Sequence, residues 1–249
     1  MTYFGKTIYF LLLTNINILC EVNMKKSLLL VPVLAVMLSF SACGFDIHKQ
    51  LSTNISETCN NYFVGETNDY YINLFSGSRE KVYQLDGIST EKIPYAILSV
   101  RCKTARNNEE LQFSVEINDK TYDGALKNNP YDSTLEADIE TTLANSDVVY
   151  VYIKDGDDTQ VANLKCVSEN FFVNSQTALD IALDEIINQK IEFDKTLKYE
   201  CFVQVLNKDA SDNLYFWIVS VVSSDGAVWN VIIDTSTGKV LAKNCNNLQ

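Results

Sequence analysis

Residues 231–242 read VIIDTSTGKVLA. Three apolar residues, Val231 to Ile233, run into Asp234, Thr235, Ser236, Thr237 and Gly238, and a short apolar return follows. An apolar run that breaks at such a cluster and then resumes reads as strand, turn, strand. Asp234 is placed to accept hydrogen bonds from the N–H groups of the turn that follows it, and Thr235 and Thr237 can support it with hydroxyls. Gly238 supplies a positive φ at low cost. Metal binding or base catalysis by Asp234 would need convergent partners, and the neighbouring sequence offers none. Asp234, Thr237, Gly238 and Lys239 therefore read as a structural turn.

The same pattern extends upstream. Strands are expected over 199–206, 214–222 and 227–234, with Asp225-Gly226 as the tight turn between the last two. Before them, SQTALDIALDEIINQK (175–190) sets Leu179, Ala182, Leu183, Ile186 and Ile187 on one helical face. Thr177 with Asp180 fits a capping box, and Ser175 is a second N-cap candidate. One helix on a three-stranded antiparallel sheet is thus expected over 170–249. Its strands have apolar residues on both parities. Cys201, Val203, Val205, Trp229, Val231 and Ile233 form the inner set. Phe202, Leu206, Val228 and Ile232 lie on the opposite parity, where water would select polar residues. That second face is expected to meet either the preceding domain, which the short apolar connection VSENFFVN (167–174) favours, or a protein partner.

The segment 174–243 resembles the PepSY family. The matching residues are Ala178, Ile181, Ala182, Leu183, Val231, Ile233, Asp234, Thr237, Gly238, Lys239 and Val240. The resemblance implies a helix packed on a small antiparallel sheet and a role in binding and restraining proteases, with no catalytic residues. The stretch NQKIEFDKTL (188–197) departs from the family in lacking the Gly that often ends its helix.

Between residues 59 and 168 short β-type runs recur with turn residues between them, among them DYYINLFS, YAILSVRC and DVVYVYI. SVEINDKTYDG (114–124) is the clearest hairpin, turning at Asn118-Asp119. The expectation is an all-β domain, an antiparallel β-sandwich, followed by the small α+β domain.

The first 58 residues read as targeting and attachment. From Met24, Lys25 and Lys26 precede an apolar run, Leu28 to Phe40, and small residues lead to Cys43. This resembles a bacterial lipoprotein signal with FSAC as its lipobox, although Phe40 stands where Leu is usual. The resemblance implies a signal peptide over 24–42 and a lipid on Cys43 that anchors the chain at the extracytoplasmic face of the cell membrane. Residues 1–23 read as an upstream extension or a start called too early, and residues 43–58 as a lipidated tether. The whole chain carries 20 Lys+Arg against 32 Asp+Glu, a net charge of −12. Cleavage before Cys43 removes Lys6, Lys25, Lys26 and Glu21 and leaves 17 basic and 31 acidic residues. Such a balance argues against nucleic acid as a partner.

Candidate chemistry is sparse. His48 is the only histidine and falls in the expected tether, so a positioned imidazole is not in prospect. DGDD (155–158) lacks the ligand spacing of a calcium loop and fits a polar hairpin turn. Cys59, Cys102, Cys166, Cys201 and Cys245 leave several disulfide patterns open. No cofactor or metal is expected. The function expected is that of a non-enzymatic lipoprotein binding or regulating a protein, such as a protease. A structural or adhesive envelope protein is the alternative, and a carboxylate hydrolase of envelope polymers comes third.

Overall fold

The computed structural model describes residues 47–82, 84, 86–104, 111–130, 134–188, 193–207 and 214–246, without the side chains of 245 and 246. Residues 47–249 form one compact unit. Its described elements begin with helix α1 (Ile47–Thr53) and strands β1 (Ile55–Glu66), β2 (Tyr70–Glu80) and β3 (Lys92–Cys102). Then come β4 (Gln112–Ile117), β5 (Lys120–Ala125), β6 (Lys127–Asn128), β7 (Thr134–Ile139), β8 (Val149–Asp155) and β9 (Asp158–Cys166). A 3-10 turn (Ser168–Asn170) leads to helix α2 (Ser175–Asn188). The chain finishes with β10 (Tyr199–Asn207), β11 (Tyr215–Ser223), β12 (Val228–Asp234) and β13 (Val240–Asn246).

The structure corrects the expected fold class. The chain does not build a β-sandwich followed by a separate α+β domain; its 13 described strands form one hydrogen-bonded sheet. Strand β1 is the physical reason. One edge of β1 pairs antiparallel with β2 over most of its length. The other edge is divided. Ile55, Glu57 and Thr58 pair with β10, in the one parallel ladder among the described strands, and Phe63 and Val64 pair with β9.

Strands β9, β8, β4 and β5 therefore continue from the same strand as β2, β3 and β7. The two runs curl towards each other into a nearly closed barrel. At its seam the chain passes from β5 directly into β6, which pairs with β7. Phe63, Leu74, Leu98, Val115, Val151 and Leu164 meet inside, each of them buried.

Strands β10 to β13 extend the sheet on the other side as a wing covered by the two helices. Leu51, Leu179, Leu183, Trp217, Val219 and Val231 form its core. Burying each such side chain contributes roughly 1.5–3 kcal/mol. The helix stripe read from the sequence points at the sheet, but the cap lies earlier. Asn174 Oδ1 accepts from Thr177 N at 2.9 Å, in the manner of an N-cap.

Residues 47–58 were expected within a tether. They instead form α1 and the first third of β1. Leu51 is buried in the wing core, and Asn54 Nδ2 donates to the Gly87 carbonyl at 2.7 Å. Their polar composition hid them, because Ser56 and Glu57 are buried through hydrogen bonds rather than apolar packing. Ser56 Oγ donates to Glu200 Oε2 at 2.5 Å, and Tyr95 Oη donates to Glu57 Oε1 at 2.9 Å.

Candidate functional site

The turn after β12 is built from its own side chains. Asp234 Oδ1 accepts from Ser236 N at 2.8 Å, Thr237 N at 3.0 Å and Ser236 Oγ at 2.6 Å. Thr237 Oγ1 accepts from Lys239 N at 3.3 Å. Thr235 works differently from the sequence reading, since its hydroxyl donates to Tyr215 O at 3.0 Å and ties the turn to β11. The hydroxyl of Ser236, followed by burial acting the other way and by the turn N–H groups, holds the Asp234 carboxyl below its ordinary value. Gly238 has φ +72°, and a Cβ there would lie 3.0 Å from Val173 Cγ2. The exposed Lys239 takes part through its backbone: its carbonyl accepts from Asp234 N at 2.9 Å.

The four apolar residues of the opposite parity do not share one environment. Phe202 is buried, Val228 and Ile232 are half-buried, and Leu206 is 40% exposed. Among the described elements the barrel strands join this wing edge to edge through β1 and β10, and none packs extensively on β11 or β12. Loop residues 87–89 reach the start of β10, where Gly87 N donates to Glu200 Oε1 at 3.1 Å. Beyond that point Leu206 stands beside Phe216, Gln204 beside Ile218, and Ile218 beside Ile232, which neighbours Ala242. Phe216 and Ile218 are half-buried too. Among the described elements, β11 and β12 pack extensively only on their sheet neighbours and on α2, which covers the other side. Among the described residues, an apolar surface of several half-buried side chains thus lies on the side of the wing opposite α2, which we call its open face.

The polar groups elsewhere are largely engaged with one another. At one end of the barrel a groove of about 800 Å3 is lined by Glu66, Thr67, Asn68, Lys103, Asp158 and Gln160, among others. Lys103 Nζ sits in it, donating to Glu66 Oε2 and Thr67 O, both at 2.7 Å, with the Tyr71 ring centroid 4.7 Å away. Gln160 Nε2 links Asp69 Oδ2 at 2.5 Å to Asp158 Oδ2 at 3.2 Å. The residues DGDD form the hairpin turn between β8 and β9, with Gly156 at φ +59°. Among the described residues no group of three or more His, Cys, Asp or Glu is arranged to hold a metal ion. A second cavity, of about 550 Å3, is lined by Ile97, Phe113, Asp123, Glu136 and Asp138, among others.

His48 is on α1, and its Nε2 lies 3.9 Å from Asp184 Oδ1 of α2. Cys59 and Cys201 are buried thiols outside any disulfide, and burial pushes each up to about 12. Cys43 and the side chain of Cys245 lie outside the described residues. The sequence reading missed the buried Ser56–Glu200 and Tyr95–Glu57 pairs. Their partners are far apart in the chain and form no motif, so no local signal marks them. Compared with known proteins, the chain matches no family model, no curated protein and no solved structure.

Proposed function

We propose that the protein is an extracytoplasmic lipoprotein, anchored through Cys43, that works by binding another protein through the open face of β10 to β12. One observation carries the reading. Phe216, Ile218, Ile232 and Leu206 make a contiguous apolar surface on a sheet whose other face is already filled by helices. A monomeric protein gains nothing by keeping such a surface in water, and a partner's apolar side chains would be stabilised on it. The PepSY-like character of 174–243 makes an envelope or secreted protease the preferred partner. The signal ending in FSACG supports the location.

Two measurements test the two halves separately. A photo-crosslinking residue at Ile218 should trap a specific protein in intact cells, and Ile232→Asp should abolish the adduct. The same residue at Thr159, on the barrel's far hairpin, should trap nothing comparable. Equal adducts at both positions, or none at Ile218, would remove the binding face. Cys43→Ala should release the protein from membranes or leave its precursor uncleaved; a variant that is processed and fractionates like the parent would remove the anchor.

A further inference from the structure

We infer that the outer edge of β5 is a docking site for an extended, lysine- or arginine-bearing segment of another protein, which joins the sheet there as an added strand. The inference stands apart from Cys43 and from the face of β10 to β12. Among the described strands the sheet has three ends, β13, β6 and β5. β6 has two residues, and β13 is interrupted by a register shift. β5 has neither device. All six of its residues pair with β4 in unbroken register, and no described strand pairs with its other edge. An unpaired edge of that kind is a template for another chain.

The direction of its backbone groups follows from the hairpin. Two residues, Asn118 and Asp119, join Ile117 to Lys120, so that pair exchanges both hydrogen bonds and the ladder alternates from there. Tyr122 and Gly124 bond to β4, and Leu126 keeps the phase by donating to Leu111 O at 2.9 Å. Thr121, Asp123 and Ala125 turn their N–H and C=O groups the other way, and all three residues are exposed. No described strand uses these groups: β7, which comes near β5, bonds to β3 and β6. The link across to β5 is made by side chains, with Tyr122 Oη 3.0 Å from Thr141 Oγ1, just past the end of β7.

The same edge shows what it would take. Asp123 to Ala125 of β5 and Glu136 to Asp138 of β7 line one cavity of about 550 Å3. Its ionisable lining is three carboxylates, Asp123, Glu136 and Asp138, against Lys127. Arg79 offsets Asp138 at 3.1 Å, which leaves the balance acidic, in a chain of net charge −12. A cationic side chain is complementary to that charge. Ile97, Phe113 and Ala137 add apolar lining, suited to the aliphatic stem of a Lys or Arg. Main-chain bonds to Thr121, Asp123 and Ala125 would supply affinity, and alternate side chains of the added strand would supply specificity. A second copy of this chain is a poorer occupant. The symmetric register that uses all three outward residues sets Asp123 directly opposite Asp123, and like charges so placed repel.

The test uses the full chain and a fluorescein-labelled, end-blocked octapeptide of alternating Lys and Val, with binding read by anisotropy. The peptide should bind saturably, and its Glu-Val counterpart should bind far more weakly. The same Lys-Val peptide N-methylated along one edge keeps its charge and side chains but loses main-chain donors; each lost bond lowers affinity by about tenfold. Asp123→Pro removes an outward N–H and takes no bond from β4, so it should weaken binding to a similar degree while dichroism and tryptophan fluorescence stay those of the parent. Asp123→Lys keeps that N–H, reverses the charge and should also weaken binding. On adding the Lys-Val peptide, hydrogen exchange should slow at Thr121, Asp123 and Ala125. No binding, or equal binding of the N-methylated peptide, would overturn strand addition. Equal binding of the Glu-Val peptide would overturn the basic occupant. Self-association of the parent protein that Asp123→Lys or Asp123→Pro abolishes would overturn it too, in favour of a second copy.

Discussion

Asp234 gathers three hydrogen bonds on one carboxylate oxygen, and this makes the turn sensitive to a single substitution. Asp234→Ala leaves two turn N–H groups and a hydroxyl without their acceptor and should cost about 1–2 kcal/mol. Asp234→Asn keeps an oxygen in place and should cost less. The sign of the pH effect follows from the carboxyl being held below its ordinary value of 3.8. A depressed folded-state value means that the unfolded chain takes up the proton first as pH falls. The stabilisation is therefore complete above about pH 4 and is lost as pH drops through the folded value. Thermal unfolding at pH 7 and pH 3 should show the gap between parent and Asn variant closing at the lower pH; an unchanged gap, or no gap at pH 7, would contradict this. Gly238→Val should cost at least as much as Asp234→Ala, because φ is +72° and the new Cβ meets Val173 at 3.0 Å. The buried thiols make a separate case. With both pushed up to about 12 by burial, Cys59 and Cys201 should resist iodoacetamide at pH 7 in the folded protein and react rapidly in denaturant. Comparable rates in both conditions would show that the wing core opens readily.

The parallel ladder between β1 and β10 is the element on which the architecture turns, and Glu200 sits at its start. Glu200 is fully buried and receives the Ser56 hydroxyl and the Gly87 N–H. Glu200→Ala removes both acceptors at once, and each stranded donor costs about 1–3 kcal/mol. Glu200→Gln retains an oxygen for Gly87 and should be milder. The damage should be local first: hydrogen exchange should rise at residues 55–58 and 201–203 before it rises in the barrel. Uniform loss of protection would mean that the ladder is no weak point. The same element shows what the sequence could reveal. Strands 199–206, 214–222 and 227–234 are found within a residue of their expected ends, because apolar alternation and an Asp-Gly turn mark them locally. The stripe on α2 was legible for the same reason. Strand β1 was not. Ile55 to Asn61 read ISETCNN, a polar run whose burial depends on Glu200 and Tyr95, residues that lie far along the chain. Helix α1 has seven residues, too few to display a period. The mixed parity of Phe202, Leu206, Val228 and Ile232 was visible, but whether the barrel lay across that face or beside it depended on the hidden strand.

At the scale of the whole molecule, a sheet this long must end somewhere without recruiting another chain. Two of its terminal strands are blunted: β6 has two residues, and β13 carries a register shift opposite Ile232 and Ile233 and a Lys at 243. Cutting the sheet elsewhere creates a new edge. Residues 170–249 expressed alone would expose the β1-facing side of β10 and lose Leu51 and Cys59 from their core. That fragment should be unstable or self-associate, and a monomer as stable as the full chain would refute the shared core. In the intact protein the two cores should unfold together. β1 contributes Phe63 to the barrel core and Cys59 to the wing core. Aromatic contacts add a second tie: Tyr62 stacks on Phe75 at 5.9 Å and meets Tyr215 at 5.5 Å, and Phe171 joins Tyr215 to Trp217. No linker separates the cores, so opening one exposes apolar surface of the other. The chain supplies its own probe, since its two tryptophans, Trp217 and Trp229, both lie in the wing. Their fluorescence reports the wing alone, whereas far-ultraviolet dichroism reports all the strands. Urea unfolding followed by the two signals should give one midpoint and one slope. A wing transition well below the dichroism transition would show that the β1–β10 ladder joins the two parts in space without coupling their stability.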